Sequence, residues 1–225
     1  MGSHRHQLPR IRHACTLATA VLALTSAAPA QARDCPTGMF IAAAGPDTAS
    51  ALEIRSDGHF RYMLSVGAVD ESAEGRWTCD AGTLLLTTMP TPKAPAFRLA
   101  NIVEGTGEPF SILVSWPNGR GIAGVDFVLE MDSGAPIEDY TQESGWSGDL
   151  GGRKPRSISV SEPFYGTASP AFTISSGNPH RIEIILEPND MGKAAFLNTR
   201  VTRSESALIL HWRGGELPYV PAADD

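Results

Sequence analysis

The stretch that decides the fold is residues 51–89, ALEIRSDGHFRYMLSVGAVDESAEGRWTCDAGTLLLTTM. It contains four runs rich in apolar residues, which are residues 51–55, 59–66, 75–79 and 83–89. In the second run Phe60 and Tyr62 alternate with polar residues, as in a half-buried strand. Asp57-Gly58 and the tight turn at 80–82 (DAG) can connect such strands, because glycine adopts positive φ at little cost. The stretch therefore predicts an antiparallel β-meander.

The same pattern of short strands continues to the C-terminus. Residues 90–96 (PTPKAPA) contain three prolines, which cannot donate hydrogen bonds to a sheet, so they form a connector. Residues 104–109 (EGTGEP) lack any apolar residue and mark the best domain boundary. Further predicted strands are residues 97–103, 110–116, 122–131, 157–160, 171–174, 181–186, 194–201, 207–212 and 217–220. We expect an all-β protein, with a small meander or barrel domain at 33–104 and a seven-stranded sandwich domain at 110–225.

The N-terminal region is typical of an export signal. Residues 1–13 contain Arg5, Arg10 and Arg12 but no acid, and residues 14–24 (ACTLATAVLAL) are mostly apolar. Residues 30–32 (AQA) match the small-residue cleavage site of a secretory signal peptide. The apolar run is too short to cross a bilayer as a helix. We predict that residues 1–32 are a Sec-type signal peptide and that the mature protein is periplasmic or secreted.

Charge limits the classes of partner. The chain has 18 Lys and Arg against 25 Asp and Glu, which gives a formal net charge of −7. Removal of the predicted signal takes away three arginines and no acid, so the mature chain is more acidic still. Such a chain disfavours nucleic acid and anionic membrane surfaces, because both require clustered cations. No second long apolar stretch is present, so we predict no membrane span.

The cysteines predict a disulfide. Cys15 lies within the predicted signal, which leaves Cys35 and Cys79 in the mature chain. An even pair in an oxidising compartment is expected to be bonded, and we predict a Cys35–Cys79 disulfide that staples the first domain. The alternative is two separate buried thiols.

The second half combines a strand, a Gly- and Asn-containing turn and a return strand with a later Gly-Trp run. The residues of this pattern are Val114, Asn118, Gly119, Ile122, Gly124, Val125, Phe127, the run 141–146 (TQESGW), 158–160 and 164–165. In these residues the second half resembles a carboxypeptidase-regulatory-like or transthyretin-like (prealbumin) domain. The polar insertion at 148–156 and the absence of a Gly-x-Tyr before the last strand depart from the family pattern. The resemblance implies an immunoglobulin- or prealbumin-like sandwich and a non-catalytic accessory role. The whole chain is also similar to uncharacterised exported bacterial proteins in which a Gly-x-Trp and Leu-x-Leu meander, here Gly75, Trp77, Leu84 and Leu86, precedes such a sandwich.

Motifs for catalysis and metal binding are missing. His59, His180 and His211 lack the spacing of a zinc site, and no Gly-x-Ser-x-Gly elbow occurs. Acidic clusters at 70–74 (DESAE) and 130–139 (EMDSGAPIED) could offer oxygens to calcium, but neither matches an EF-hand loop. We interpret both clusters as solvated loops. The sequence therefore predicts no catalytic residue, no cofactor and no metal site.

Binding residues are expected on the loops of a β scaffold. Trp146 lies in a Gly- and Ser-rich run, and Asn118 and Arg120 lie in the turn 117–121 (PNGRG), so we predict a ligand-binding loop with these residues. Other aromatic candidates for a binding surface are Trp116, Tyr165, Trp212 and Tyr219. We expect an exported, non-catalytic binding or accessory protein of the cell envelope, whose partner is an envelope protein or a polysaccharide. The alternatives are a periplasmic hydrolase with dispersed acidic residues and an enzyme inhibitor that projects the 117–121 loop.

Overall fold

The alternation of apolar and polar residues folds the chain into strands throughout its described part. The computed structural model describes residue 2 and residues 35–43, 45–105 and 109–223, and assigns seventeen strands and no helix there. The all-β prediction is confirmed for these residues. Nothing in these ranges forms a helix long and apolar enough to cross a membrane. The predicted signal peptide, residues 1–32, lies outside the described residues apart from Gly2.

Eight of the strands close into an antiparallel barrel. They are β1 (Gly38–Ala42), β2 (Thr48–Ile54), β3 (His59–Val66), β4 (Val69–Asp80), β5 (Thr83–Thr88), β15 (Thr199–Arg203), β16 (Leu208–Trp212) and β17 (Gly215–Pro221). Their order around the barrel is β1-β17-β16-β15-β5-β4-β3-β2, with β1 paired to β2. Eight strands enclose an interior that side chains can nearly fill, or that can hold one small ligand. The meander predicted from residues 51–89 is four consecutive strands of this barrel, β2 to β5.

The register of β3 against β4 decides what points into the barrel. Phe60 lies opposite Gly75, Tyr62 opposite Ala73, and Leu64 opposite Glu71. The two aromatic side chains of β3 therefore face small residues on β4, and Leu64 faces the inward side chain of Glu71. Gly75 is required at its position, because a Cβ there would lie 2.1 Å from the carbonyl oxygen of Thr87. The barrel core consists of Phe40, Leu52, Ile54, Phe60, Tyr62, Ala73, Leu84, Leu86, Ala194, Phe196, Val201, Leu208, Leu210 and Tyr219.

The remaining nine strands form two facing sheets. The strands are β6 (Ala96–Glu104), β7 (Phe110–Ser115), β8 (Asp126–Met131), β9 (Ile137–Tyr140), β10 (Trp146–Gly148), β11 (Pro155–Glu162), β12 (Thr167–Ala168), β13 (Phe172–Thr173) and β14 (Pro179–Glu187). One sheet has the order β10-β7-β14-β6, and the other has β12-β11-β8-β9 with β13 on β11. Alternate residues, such as Ile112 and Val114 on β7 and Ile182 and Ile184 on β14, fill the space between the sheets. Seven strands were expected in this domain, but the strands predicted at 194–201, 207–212 and 217–220 belong to the barrel, and the sandwich gains β6, β9, β10 and β12 instead.

The sandwich is inserted into the barrel rather than following it. The chain leaves the barrel after β5, forms β6 to β14, and returns at Thr199, which pairs with Leu86 of β5. The predicted boundary at 104–109 therefore falls inside the sandwich, between β6 and β7 of one sheet. Residues 199–221, expected in the sandwich domain, complete the barrel instead. The physical reason is that β5 offers a free edge, which only these late strands cover.

The two crossings between barrel and sandwich are held together. The backbone N–H of Lys93 donates to Asp190 Oδ2 at 2.8 Å, and the N–H of Asp190 donates to the Lys93 carbonyl at 3.0 Å. Asn189 Nδ2 adds a hydrogen bond of 2.8 Å to the Ala94 carbonyl. The proline-rich connector predicted at 90–96 is thus fixed to the segment by which the chain returns.

The predicted disulfide is confirmed. Cys35 and Cys79 are bonded, with their Cα atoms 6.2 Å apart and a sequence separation of 44. Cys79 lies near the end of β4, and Cys35 precedes β1, so the bond ties the start of the described chain to the barrel. It lies at the end of the barrel that carries the β2–β3 and β4–β5 turns.

We expect loss of this bond to destabilise the fold by about 4 kcal/mol, since closing a loop of this length restricts the unfolded chain to that extent. Replacement of both cysteines by alanine, measured by urea unfolding, gives the value. Either single replacement should cost nearly as much as the double one, because each already removes the cross-link. Additive single effects would contradict this explanation.

Candidate functional site

One end of the barrel is open, and we call it the mouth. The β3–β4 hairpin turns there at Gly67, and the β16–β17 hairpin turns there at Arg213 and Gly214; all three residues have positive φ. Between these hairpins lies a cavity of about 310 Å³. Its lining is mainly apolar and consists of Tyr62, Leu64, Val66, Val69, Glu71, Leu210, Trp212, Arg213, Gly215, Glu216 and Leu217.

A buried carboxylate forms the floor of the mouth. The side chain of Glu71 is 1% exposed, and it makes an ion pair with Nη2 of Arg213, whose side chain is 46% exposed. Trp212 Nε1 donates a hydrogen bond of 3.2 Å to Glu71 Oε2. Because β4 and β16 are not neighbours in the barrel, these contacts cross the interior and hold the two hairpins together. We call Tyr62, Glu71, Trp212 and Arg213 the Glu71 cluster.

Tyr62 is the member of the cluster whose hydroxyl lies enclosed beside the Glu71 carboxylate. Burial raises the pKa of Tyr62 well above its usual value, and the negative charges of Tyr219 and Glu71 and a hydrogen bond to Glu71 add to this effect. The hydroxyl therefore stays protonated and has a proton to donate.

Tyr219 provides a contrast deeper in the barrel. Its hydroxyl lies 2.5 Å from Ser50 Oγ, and Ser50 Oγ donates its own proton to the Met63 carbonyl at 2.5 Å. Tyr219 must therefore donate to Ser50. Burial raises the pKa of Tyr219 to about 12. Tyr219 is thus a structural tyrosine whose hydroxyl is satisfied within the barrel.

An aromatic plug separates the mouth from the rest of the barrel. Phe196 lies in the segment that leads into β15, and its side chain points into the barrel. Its ring centroid lies 5.8 Å from that of Phe60, 5.0 Å from that of Tyr62 and 4.8 Å from that of Trp212. Thr88 holds this segment, since the N–H of Phe196 donates to Thr88 Oγ1 at 3.0 Å. The plug fills the barrel below the cluster, so free space remains at the mouth.

A second cavity, of about 390 Å³, lies on the other side of the cluster between barrel and sandwich. It shares Trp212 and Arg213 with the mouth. Its other charged lining residues are Lys93, Lys193 and Asp190. Tyr165, one of the aromatic candidates from the sequence, also lines it. Trp212 and Arg213 thus form a wall between the two cavities.

The loop residues predicted to bind a ligand are placed differently. Asn118 Oδ1 accepts the N–H of Arg120 at 3.0 Å, and Arg120 pairs with Glu143 at 3.3 Å in an exposed contact. Trp146 is half-buried, donates to Asp139 Oδ2 at 2.8 Å and packs edge-on against Phe127. The 117–121 turn and the 142–145 turn are therefore adjacent, but none of these residues lines a described cavity. Trp146 serves the sandwich core, against which it packs.

The acidic cluster at 70–74 was interpreted wrongly as a solvated loop. These residues form the first half of β4, where Glu71 and Ala73 point inward and Asp70 and Glu74 point outward. The strand was missed because three acids in five residues resemble a loop. Gly67-Ala68 between two valines was the available signal, since a two-residue turn there places Glu71 opposite the inward Leu64.

The other chemical candidates lie outside the mouth. His59 contacts the exposed Asp57 at 3.2 Å, and a hydrogen bond from the His59 N–H lowers the pKa of Asp57. His211 Nε2 lies 2.8 Å from Thr202 Oγ1, and its Nδ1 lies 3.4 Å from Glu216 Oε1. In the described ranges, no three His, Cys, Asp or Glu side chains are placed to hold a metal ion.

We expect Arg213→Met to destabilise the protein by roughly 1 to 3 kcal/mol, because it leaves Glu71 charged and without its ion-pair partner. The loss is smaller than for a fully buried ion pair, because water reaches the half-exposed arginine. Adding Glu71→Gln should recover at least half of the loss in thermal unfolding. Arg120→Met, at the exposed pair with Glu143, is the matched control and should have no measurable effect. Equal losses for the two arginine variants would contradict the role of Glu71.

Stability should fall between pH 10 and pH 12. The pKa of Tyr219 rises to about 12 in the folded protein but is about 10 when unfolded, so in this range the unfolded chain loses a proton that the folded one keeps. The contribution is fully present below pH 10 and amounts to roughly 2 to 3 kcal/mol. Urea unfolding at several pH values measures the slope. Tyr219→Phe should have a shallower slope than the native protein, and identical slopes would contradict the assignment.

Comparison of the chain with family models, with curated proteins and with solved structures finds no match. The mouth cavity and the Glu71 cluster are therefore the features from which a function can be inferred.

Proposed function

We propose that this chain is an exported, non-catalytic binding or accessory protein of the cell envelope and that the barrel mouth holds its ligand. The observation that carries the proposal is the cavity of about 310 Å³ above the buried Glu71 and Arg213 pair. Export is inferred from the signal-like residues 1–32 and is consistent with the Cys35–Cys79 bond, since disulfides persist in oxidising compartments. The sandwich, in this proposal, is a prealbumin-like accessory module.

The mouth has the composition of a small-molecule site. Such sites are mostly apolar with a few placed polar groups, and they occur in the mouths of β-barrels. Here Leu64, Val69 and Leu217 supply apolar walls, and Tyr62 and Arg213 supply polar groups. The aromatic plug at Phe196 limits the depth, so a ligand would be held at the mouth and not deep in the barrel.

The charged groups of the mouth favour binding over catalysis. Glu71 already contacts Arg213 and accepts from Trp212, so its carboxylate is engaged before any ligand arrives. A general acid or base must be within hydrogen-bond reach of the atom it protonates or deprotonates. A carboxylate held in two structural contacts is better suited to position the arginine and the tryptophan than to move a proton.

A second candidate function, a hydrolase, is favoured by the array of Thr202, His211 and Glu216. The Thr202 hydroxyl contacts the His211 imidazole, which in turn contacts the Glu216 carboxylate. Enzymes that activate a hydroxyl nucleophile use this order of groups. Neither Thr202 nor His211 lines a described cavity, so a substrate would have to lie on the open outer face of the barrel. Ester hydrolysis by the purified protein, removed by Thr202→Val, would favour this function over the first.

The binding proposal is tested with the exported protein, whose N-terminus should be Arg33 by intact mass. A neutral naphthylamine dye, which fluoresces in apolar surroundings, should bind to the protein. Its fluorescence should fall when a competing apolar ligand displaces it. Leu64→Gln should weaken dye binding at least about fivefold, since Leu64 faces the cavity. The neighbouring residue Met63 points outward and is 56% exposed, so Met63→Gln is the matched control and should leave binding unchanged. No dye binding, or equal loss in both variants, would refute the mouth as a ligand site.

A further inference from the structure

We propose that the second cavity, between barrel and sandwich, binds one pyranose ring of a saccharide. This site shares Trp212 and Arg213 with the barrel mouth but is otherwise lined by different residues. It goes beyond the function proposed for the mouth and does not depend on it. Four properties of the cavity point to this ligand: its size, its charges, its aromatic walls and the contacts that fix those walls.

The second cavity has the size of a single sugar ring. Its volume is about 390 Å³, which holds roughly thirteen non-hydrogen atoms at about 30 Å³ for each water-sized group. A hexose with its hydroxyl groups is of this size, whereas a lone phosphate or acetate ion is much smaller. The cavity also lies where two packed domains meet, which is a preferred place for small-molecule sites.

Two side chains of opposite charge are held together on one wall. The N–H of Lys93 donates to Asp190 Oδ2 at 2.8 Å, and the N–H of Asp190 donates to the Lys93 carbonyl at 3.0 Å. Both residues are exposed and line the cavity. Among the described residues, none makes a hydrogen bond or an ion pair with the Lys93 ammonium group, so this group can turn to a ligand.

Sugar hydroxyls fit this pair of opposite charges. A hydroxyl can accept a hydrogen bond from an ammonium group and donate one to a carboxylate oxygen, and a sugar ring carries several hydroxyls side by side. A small anion would meet Asp190, and a small cation would meet Lys93 and Lys193. Arg213, the remaining cation of the lining, is already paired with Glu71. Neither kind of ion is therefore favoured as the whole ligand.

The backbone of this wall cannot accept an added peptide strand. The N–H and carbonyl groups that join Lys93 to Asp190 are in use, and the Asp190 carbonyl accepts the N–H of Lys193 at 2.9 Å. Asn189 Nδ2 occupies the Ala94 carbonyl at 2.8 Å. Peptides that extend a sheet bind through main-chain hydrogen bonds. Recognition at this cavity has to come from side chains, as it does for a sugar.

Aromatic and proline side chains supply apolar walls. Tyr165 and Trp212 line the cavity together with Pro92 and Pro95. Aromatic rings combine a broad apolar surface with a polar group at one edge. The C–H groups on one face of a pyranose can pack on such a surface, while the hydroxyls at the ring edge stay available to Lys93 and Asp190.

The loop that carries Tyr165 is fixed by a buried carboxylate. Glu162 is 8% exposed, and its two oxygens accept the N–H of Phe164 at 3.1 Å and the N–H of Tyr165 at 2.8 Å. The opposite wall is fixed by the contacts between Lys93 and Asp190. A site whose walls are held before the ligand arrives loses less entropy on binding.

The test is a titration of the full exported protein, followed by NMR, with three neutral probes. These are the methyl β-glycosides of glucose, galactose and N-acetylglucosamine. At least one should bind saturably, with a Kd of about 10 mM or tighter, and at least tenfold more tightly than glycylglycine or inorganic phosphate. Absence of saturable binding by all three, or equal binding of the dipeptide or the phosphate, would overturn the proposal.

Lys93→Met tests the polar wall. It should weaken sugar binding about threefold to tenfold, the range that corresponds to one net hydrogen bond. Its side chain is exposed and unpaired, so thermal unfolding should be unchanged. Lys154→Met is the matched control, because Lys154 is also exposed but lines no described cavity. Equal sugar binding by the two variants would contradict the assignment.

Tyr165→Ala tests the aromatic wall and should weaken sugar binding at least about fivefold. Tyr165→Phe keeps the ring and should lose less. Tyr140→Ala, at a tyrosine that is 52% exposed on β9, is the matched control and should leave binding unchanged. Equal losses in Tyr165→Ala and Tyr140→Ala would exclude the second cavity as the sugar site.

The outcomes separate this site from the mouth. Sugar binding should leave the naphthylamine dye in place, and Leu64→Gln should leave sugar binding unchanged. Displacement of the dye by the sugar would place the sugar at the mouth and overturn the assignment to the second cavity. Failure of the dye to bind, with sugar binding intact, would refute the proposed function of the mouth alone.

Discussion

The pairing of β5 with β15 is the constraint on which the rest of the molecule depends. In the antiparallel register, Thr199, Arg200 and Val201 of β15 lie opposite Leu86, Leu85 and Leu84 of β5. The whole sandwich separates these two strands in sequence, and their pairing closes the barrel. Closure removes the free edges that would otherwise expose unpaired backbone groups. It also assembles the mouth, because Glu71 comes from before the insertion and Trp212 and Arg213 come from after it. An open barrel would leave Glu71 without either contact.

The segment that returns from the sandwich to the barrel also places Phe196 inside the barrel. It is tied to the sandwich side by Asp190 and to the barrel by Thr88, whose hydroxyl donates to the Ala194 carbonyl at 2.8 Å and accepts the N–H of Phe196. Between these two attachments the segment runs beside β4, where the N–H of Ser72 donates to the Gly192 carbonyl and the Ser72 carbonyl accepts the N–H of Ala194. These contacts place Phe196 in the barrel, where its side chain is buried. The position of the insertion thus determines the depth of the mouth.

Sequence reasoning identified what is local and missed what is not. The alternation around Phe60 and Tyr62 and the turn at Asp57-Gly58 predicted the meander, and the compartment argument predicted the Cys35–Cys79 bond. The inward pattern of Val201, Leu208 and Leu210 suits a sandwich as well as a barrel, so the partner of β15 could not be inferred from it. Glu71 was missed because an acid in a polar run indicates a loop unless the register of the strand is known. Trp146 was misjudged because Gly and Ser around it suggested exposure, whereas Phe127 covers one edge of its ring.

The two ends of the barrel are built on opposite principles, and this asymmetry is the strongest reason to look for a ligand at the mouth. The far end is sealed by the disulfide and by Trp77, whose Nε1 donates to the Arg55 carbonyl at 2.9 Å. The mouth instead keeps a buried carboxylate, a half-exposed arginine and a tyrosine whose buried hydroxyl lies beside that carboxylate. Apolar residues of similar volume would stabilise this end as well as the ion pair does, or better, because burying two charges has a large desolvation cost. Stability therefore does not explain why this end keeps the Glu71 cluster, and the proposed ligand site is placed at the mouth for that reason.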